Sequence, residues 1–142
     1  MSYHSSPFYN WEKIVTIAAR YANRFTPSIE PAAVQAVELM LSCQQPSGAF
    51  ASASTGGAEN REETALALFA LKYAQLSASF KHQHARIQHA VAKAYAWLER
   101  QPPVGEGGFV PSLWVEKIQI VAPVVIDALV LAALCTPVIL EV

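Results

Sequence analysis

Residues 36–50 read AVELMLSCQQPSGAF, and residues 94–109 read AYAWLERQPPVGEGGF. Each carries an apolar helical stripe to a glutamine, breaks at Pro and Gly, and resumes at Gly-x-Phe or Gly-Gly-Phe. Gln45 corresponds to Gln101 and Phe50 to Phe109, about 56 to 59 residues apart. Self-similarity at such a period marks a helical-repeat architecture, in which one supersecondary unit stacks on the next. Proline has no amide for a helix interior, so both glutamines stand near helix ends.

The flanking sequence supplies the rest of the repeat. Trp11, Ile14, Val15, Ala18, Tyr21, Ala22 and Phe25 recur at three and four residues, predicting a first helix over about 9–25. TPSIEP ends it and opens a second, striped by Ala33, Val34, Val37, Met40 and Leu41 and closing near Gln45. Residues 46–58 are rich in Gly, Ser and Ala and read as a loop. Asn60 is an expected N-cap, with Glu62 and Glu63 in the first turn, where carboxylates favour the dipole. Leu66, Phe69, Ala70, Tyr73 and Leu76 continue that third helix. Ile87, Val91, Ala94, Tyr95 and Leu98 mark a fourth over about 82–100, followed by the loop QPPVGEGG. Residues 114–120 suggest a short fifth helix, and Pro123 opens a sixth that runs to about Cys135. No stretch alternates for long. The expected fold is all-α: one domain over 1–142, with about six helices in antiparallel hairpins.

Hydrophobic residues make up 53% of the chain and charged ones 15%, against roughly 25% charged in an average domain. The net charge is −1 and Lys and Arg do not cluster, which argues against nucleic acid as a partner. Apolar surface of this kind calls for a cover: a protein partner, a ligand or a peripheral membrane contact. In residues 118–140 the one charge is Asp127. Pro123 and Pro137 interrupt that run, so it reads as a buried helix in an oligomer rather than a membrane span. MSYHSSPFYNW has no basic n-region or apolar h-region, so no secretory signal is expected and the location is read as cytoplasmic. Cys43 and Cys135 lack metal-ligand spacing and read as buried thiols in a reducing compartment.

The pattern of helix, glutamine, Pro/Gly loop and aromatic resembles the QW-type repeat of squalene-hopene and other class II terpene cyclases. In that family the glutamine ties a helix end to the next turn. NREETALALFALK resembles the helix that follows such a repeat, WLERQPPVGEGGFVPSLWVEK the next one, and PSLWVEKIQIVAPVVIDALVLAAL the C-terminal segments of cyclase-like proteins. The likeness spans about 32–134. It implies an α/α-toroid like that of cyclases and prenyltransferases, with this chain as one half. Stacked helical pairs cannot bury their own end faces, so a half-toroid implies a homo-oligomer or a hetero-oligomer with another toroid half. The implied activity is proton-initiated cyclisation of an isoprenoid. The alternative is a non-catalytic scaffold or binding half that completes a partner or holds an apolar ligand.

Class II cyclases use the central acid of a DxDDTA motif, and this chain has NREETA at residues 60–65. In that register Glu62 takes the donor's place and Glu63 its neighbour's. Burial and an adjacent like charge can raise such an acid, whereas Arg61 would hold it ionised. The other reading makes both glutamates solvated first-turn residues. Asp127 is the chain's one aspartate, so neither DxDD nor DDxxD is present. In an apolar helix Asp127 is either a structural partner of Lys117 or Arg61, or a buried acid catalyst. Phe69, Tyr73, Phe109 and Trp114, with Lys117, are the candidate substrate-binding residues, through π faces that stabilise carbocations, unless they are simply core. His82, His84 and His89 have no Cys or Asp nearby in sequence, so neither a metal nor another cofactor is expected.

Overall fold

The computed structural model describes residues 6–21, 28–102 and 122–135. Its described residues form five α-helices and two 3₁₀ turns and contain no strand. The predicted helix at 114–120, with Phe109, Trp114 and Lys117, lies outside them. So does the predicted end of the first helix beyond Tyr21.

Helix α1 is Pro7–Arg20 and α2 is Glu30–Ser42. Ser6 caps α1 by accepting from Phe8 N at 3.2 Å, and Pro7 occupies a first-turn place where its missing amide costs nothing. Helix α3 is Arg61–Leu76, capped as expected by Asn60, whose Oδ1 accepts from Glu63 N at 2.9 Å. The sequence starts the next helix near residue 82. Instead a 3₁₀ turn, Ala78–Gln83, comes first, with Phe80 at φ −110° and its ring fully buried, and α4, His84–Glu99, follows. Helix α5 is Ala122–Cys135.

Helix α3 is the hub. It packs against α1, α4 and α5, while α2 packs on α1 and touches α4. Eleven of its residues are buried, from Glu62 to Ala74, because it has neighbours on nearly every side. Phe8, Met40, Phe50, Leu68, Leu71, Ile87 and Leu98 fill the space between helices. Each such side chain contributes roughly 1.5–3 kcal/mol of burial.

Helix α5 lacks a strong amphipathic pattern and docks through a charged anchor as well as apolar contacts. Lys72 Nζ donates to the carbonyls of Ala133 and Leu134 at its end, where the helix dipole favours a cation. Burial pushes the Lys72 ammonium below its usual pKa, and it sits 5.7 Å from the Tyr95 ring centre. No helix among the described residues is long and apolar enough to cross a membrane.

Two expectations need correction here. Cys43 and Cys135 are free thiols, but Cys43 is half-buried and Cys135 exposed, because each stands at a helix end rather than on a core stripe. The glutamine that ties the repeat is Gln44, not Gln45. Its Nε2 donates to Gly48 O at 3.1 Å and to Ala90 O at 3.0 Å, joining the end of α2 to its turn and to α4. Gly48 must be glycine twice over: its φ is +103°, and a Cβ there would lie 2.4 Å from Lys93 O.

Candidate functional site

The two glutamates of NREETA point to different places. Neither is solvated: Glu62 is 1% exposed and Glu63 0%, because the loop at residues 50–52 and α1 close over the first turn of α3. Glu63 Oε1 accepts from Ser6 Oγ at 2.6 Å and Ser52 Oγ at 2.5 Å, and its Oε2 accepts from Ser52 N at 2.7 Å. Next to it, Thr64 Oγ1 accepts from Phe50 N at 2.8 Å and donates to Asn60 O at 2.5 Å. Phe50 forms isolated β-bridges to Gln44 and Asn60 and packs edge-on to Phe8 at 6.0 Å. Glu63 and Thr64 thus stitch three segments together: the chain before α1, the loop after α2, and α3.

Glu62 faces α1 instead, where Tyr9 Oη donates to its Oε1. Tyr9 also lines a cavity of about 420 Å³ enclosed by α1, α3 and α5. Its walls are Tyr9, Glu12 and Lys13 from α1, Ala65, Leu66 and Phe69 from α3, and Leu129 and Ala132 from α5. Phe69, a residue chosen from sequence, is therefore in the site. Tyr73 is not: it stacks edge-on to Phe69 at 5.4 Å, with the Arg20 guanidinium 6.0 Å from its ring, and is 7% exposed. One helical turn beyond Phe69, it belongs to the core.

Glu12 is the residue that sequence reasoning missed. Half-buried on the wall of a mostly apolar cavity, its carboxyl is pushed above the usual carboxylate pKa by desolvation, with Lys13 pulling weakly the other way. Its side chain has no hydrogen bond or ion pair to the described residues. A charged residue beside Trp11 on an amphipathic helix reads as surface. The signal that would have found Glu12 is its place three residues after Tyr9, on the same face.

The remaining candidates divide. Asp127 is half-buried on α5 and is not a lining residue of this cavity. Arg61 is half-buried, and its Nη1 has no hydrogen-bond partner among the described residues, so it does not clamp the glutamates as the sequence suggested. His84 Nε2 lies 2.8 Å from Ser77 O, while His82 and His89 are exposed. Among the described residues no cluster of His, Cys, Asp and Glu could hold a metal ion. A second hollow of about 500 Å³, between α2 and α4, is open and polar at one side. There Arg86 grips Glu38 with two hydrogen bonds of 2.9 and 2.6 Å.

With this geometry in place, no family model, curated protein or solved structure was found to match the chain.

Proposed function

We propose that this chain is an apolar-ligand-binding helical domain whose site is the cavity between α1, α3 and α5. The observation that carries the reading is the wall itself: Leu66, Phe69, Leu129 and Ala132 with a few polar groups, Tyr9 and Glu12, on one side. Sites for small molecules have this make-up, an apolar lining with sparse polar groups that orient the ligand. The test is the binding of a neutral solvatochromic dye to the purified protein. Ala132→Trp, which fills the cavity, should remove binding while leaving the helical circular dichroism unchanged; unchanged binding would contradict the assignment.

The cyclase reading is the catalytic form of the same proposal. Two observations favour it: Glu62 is buried on the cavity side, in contact with Tyr9, and Glu12 is an acid of raised pKa on the wall. Either carboxylic acid could protonate an isoprenoid alkene, and Phe69 would face the resulting cation. Glu63 does not fit that role, since three donors already occupy its two oxygens. Incubation with farnesyl, geranylgeranyl and squalene-type substrates tests turnover. Loss of product in Glu62→Gln or Glu12→Gln, with dye binding retained, would identify the acid; absence of any product would leave a binding domain.

The half-toroid belongs to this proposal too. The packing of α3 between α1 and α5, with α4 behind it, supports a helical-pair repeat. Leu131, 61% exposed on a helix with one charge, supports association with a second half, either a copy or another protein. The free thiols suit a cytoplasmic location. A stable monomer by light scattering at micromolar concentration, with no partner added, would contradict the association.

A further inference from the structure

We infer that the cavity takes up a proton at Glu12 when it takes up its ligand, and that it therefore selects apolar molecules carrying a hydrogen-bond acceptor. The inference rests on the ligand-binding reading above and adds a ligand class and a linkage to it. Glu12 shares its wall with Leu66, Phe69, Leu129 and Ala132, and its carboxyl has no protein donor among the described residues. Only solvent entering the cavity can stabilise its charged form. An apolar ligand displaces that solvent, which penalises the carboxylate far more than the carboxylic acid. Protonated Glu12 then holds one O–H donor directed at the bound molecule's surroundings, and a carbonyl, ether or hydroxyl oxygen is what satisfies it.

The other charged and titratable groups do not undo this. On α1, the Tyr9 hydroxyl is committed to Glu62, and Lys13 is exposed, so its attraction for Glu12 acts through screening water. Helix α3 presents Ala65, Leu66 and Phe69, and its nearest titratable side chain is Glu62, held by Tyr9. Helix α5 presents Leu129 and Ala132, with Asp127 and Cys135 outside the lining. Burial already raises Glu12 in the empty cavity, the direction in which a ligand would push it further.

Two neutral probes test the inference: 2-propionylnaphthalene, which carries a ketone, and 2-propylnaphthalene, which does not. Calorimetric titrations between pH 5 and 8, each in two buffers of different ionisation enthalpy, read both Kd and protons exchanged. The expected result is uptake approaching one proton per site, with Kd for the ketone tightening by up to about tenfold per unit fall in pH. The ketone should bind several-fold more tightly than the hydrocarbon at low pH, and Glu12→Gln should bind it with no pH slope. The carbon-13 shift of the Glu12 carboxyl in the unsubstituted protein, with and without ketone, reads the same linkage if that variant folds poorly. A pH-independent Kd without proton uptake, or a slope retained in Glu12→Gln, would overturn the inference while sparing the binding site. Failure of both probes to bind at any pH would overturn the ligand-binding reading and the inference together.

Discussion

Glu63 and Glu12 are both removed from solvent, yet they stand in opposite kinds of place. Glu63 is fully buried at the start of α3 and accepts from Ser6 Oγ, Ser52 Oγ and Ser52 N. Glu12 is half-buried on α1 beside Leu66 and Phe69 and accepts nothing from the described residues. A buried carboxylate surrounded by donors is a structural knot, whose removal orphans every donor around it. A carboxylate held against hydrocarbon without donors is kept there at some cost to stability, which is the usual sign of a group with work to do. Burial alone would rank Glu63 as the stronger candidate for chemistry. Counting donors reverses that order.

The largest test of the contrast is Glu63→Ala. It leaves two hydroxyls and one amide buried without their acceptor, and should lower stability by roughly 3–5 kcal/mol in urea denaturation. A loss under about 1 kcal/mol would show that the knot is not structural. Next comes Gly48→Ala, which forces a side chain into positive φ and into Lys93 O and should cost at least about 2 kcal/mol, read as a lower midpoint. That loss would come from the repeat turn rather than from any carboxylate.

Glu12→Gln should behave in the opposite way to Glu63→Ala. Because burial raises the folded pKa of Glu12, protonation favours the fold: its contribution is full below the ordinary carboxylate pKa and lost as pH rises through the raised one. The wild type should therefore gain stability relative to Glu12→Gln as pH falls from 7 to 4, and the variant should be no less stable at pH 7. A variant clearly less stable at pH 7 would place Glu12 among the structural glutamates. The smallest effect belongs to the exposed Glu38–Arg86 pair. There hydrogen bonding from Arg86 holds Glu38 below the usual carboxylate pKa, so its contribution is present at neutral pH and lost as pH falls through that lowered value. Solvent and salt screen it, and Arg86→Ala should cost about 0.2–1 kcal/mol, less at high salt.

Much of the helical fold can be read directly from the sequence. The stripes of α2, α3 and α4 and the Asn60 cap follow from local rules of spacing and capping, which need no knowledge of neighbours. The 3₁₀ turn before α4 is harder to read, since ASFKHQ carries no Pro or Gly and its shape depends on burying Phe80. The role of Gln44 is displaced by one residue from the expectation because adjacent glutamines are indistinguishable until the turn places Ala90 within reach. For the site, NREETA pointed correctly to the first turn of α3 but not to which glutamate does what, because that depends on what α1 and residues 50–52 bring over it. Glu12 was hidden for the same reason. The cavity exists only where α1, α3 and α5 meet, and no periodicity within α1 reports on the other two.

The central claim is that this cavity, and not the groove between α2 and α4, receives an apolar ligand. The most direct measurement is methyl NMR of the protein during titration with 2-propionylnaphthalene. The account predicts saturable shifts at the methyls of Ala65, Leu66, Leu129 and Ala132, with Leu41, Ala85 and Ala90 in the groove unmoved. Shifts confined to the groove residues, or no saturable shift at the four cavity methyls, would contradict it.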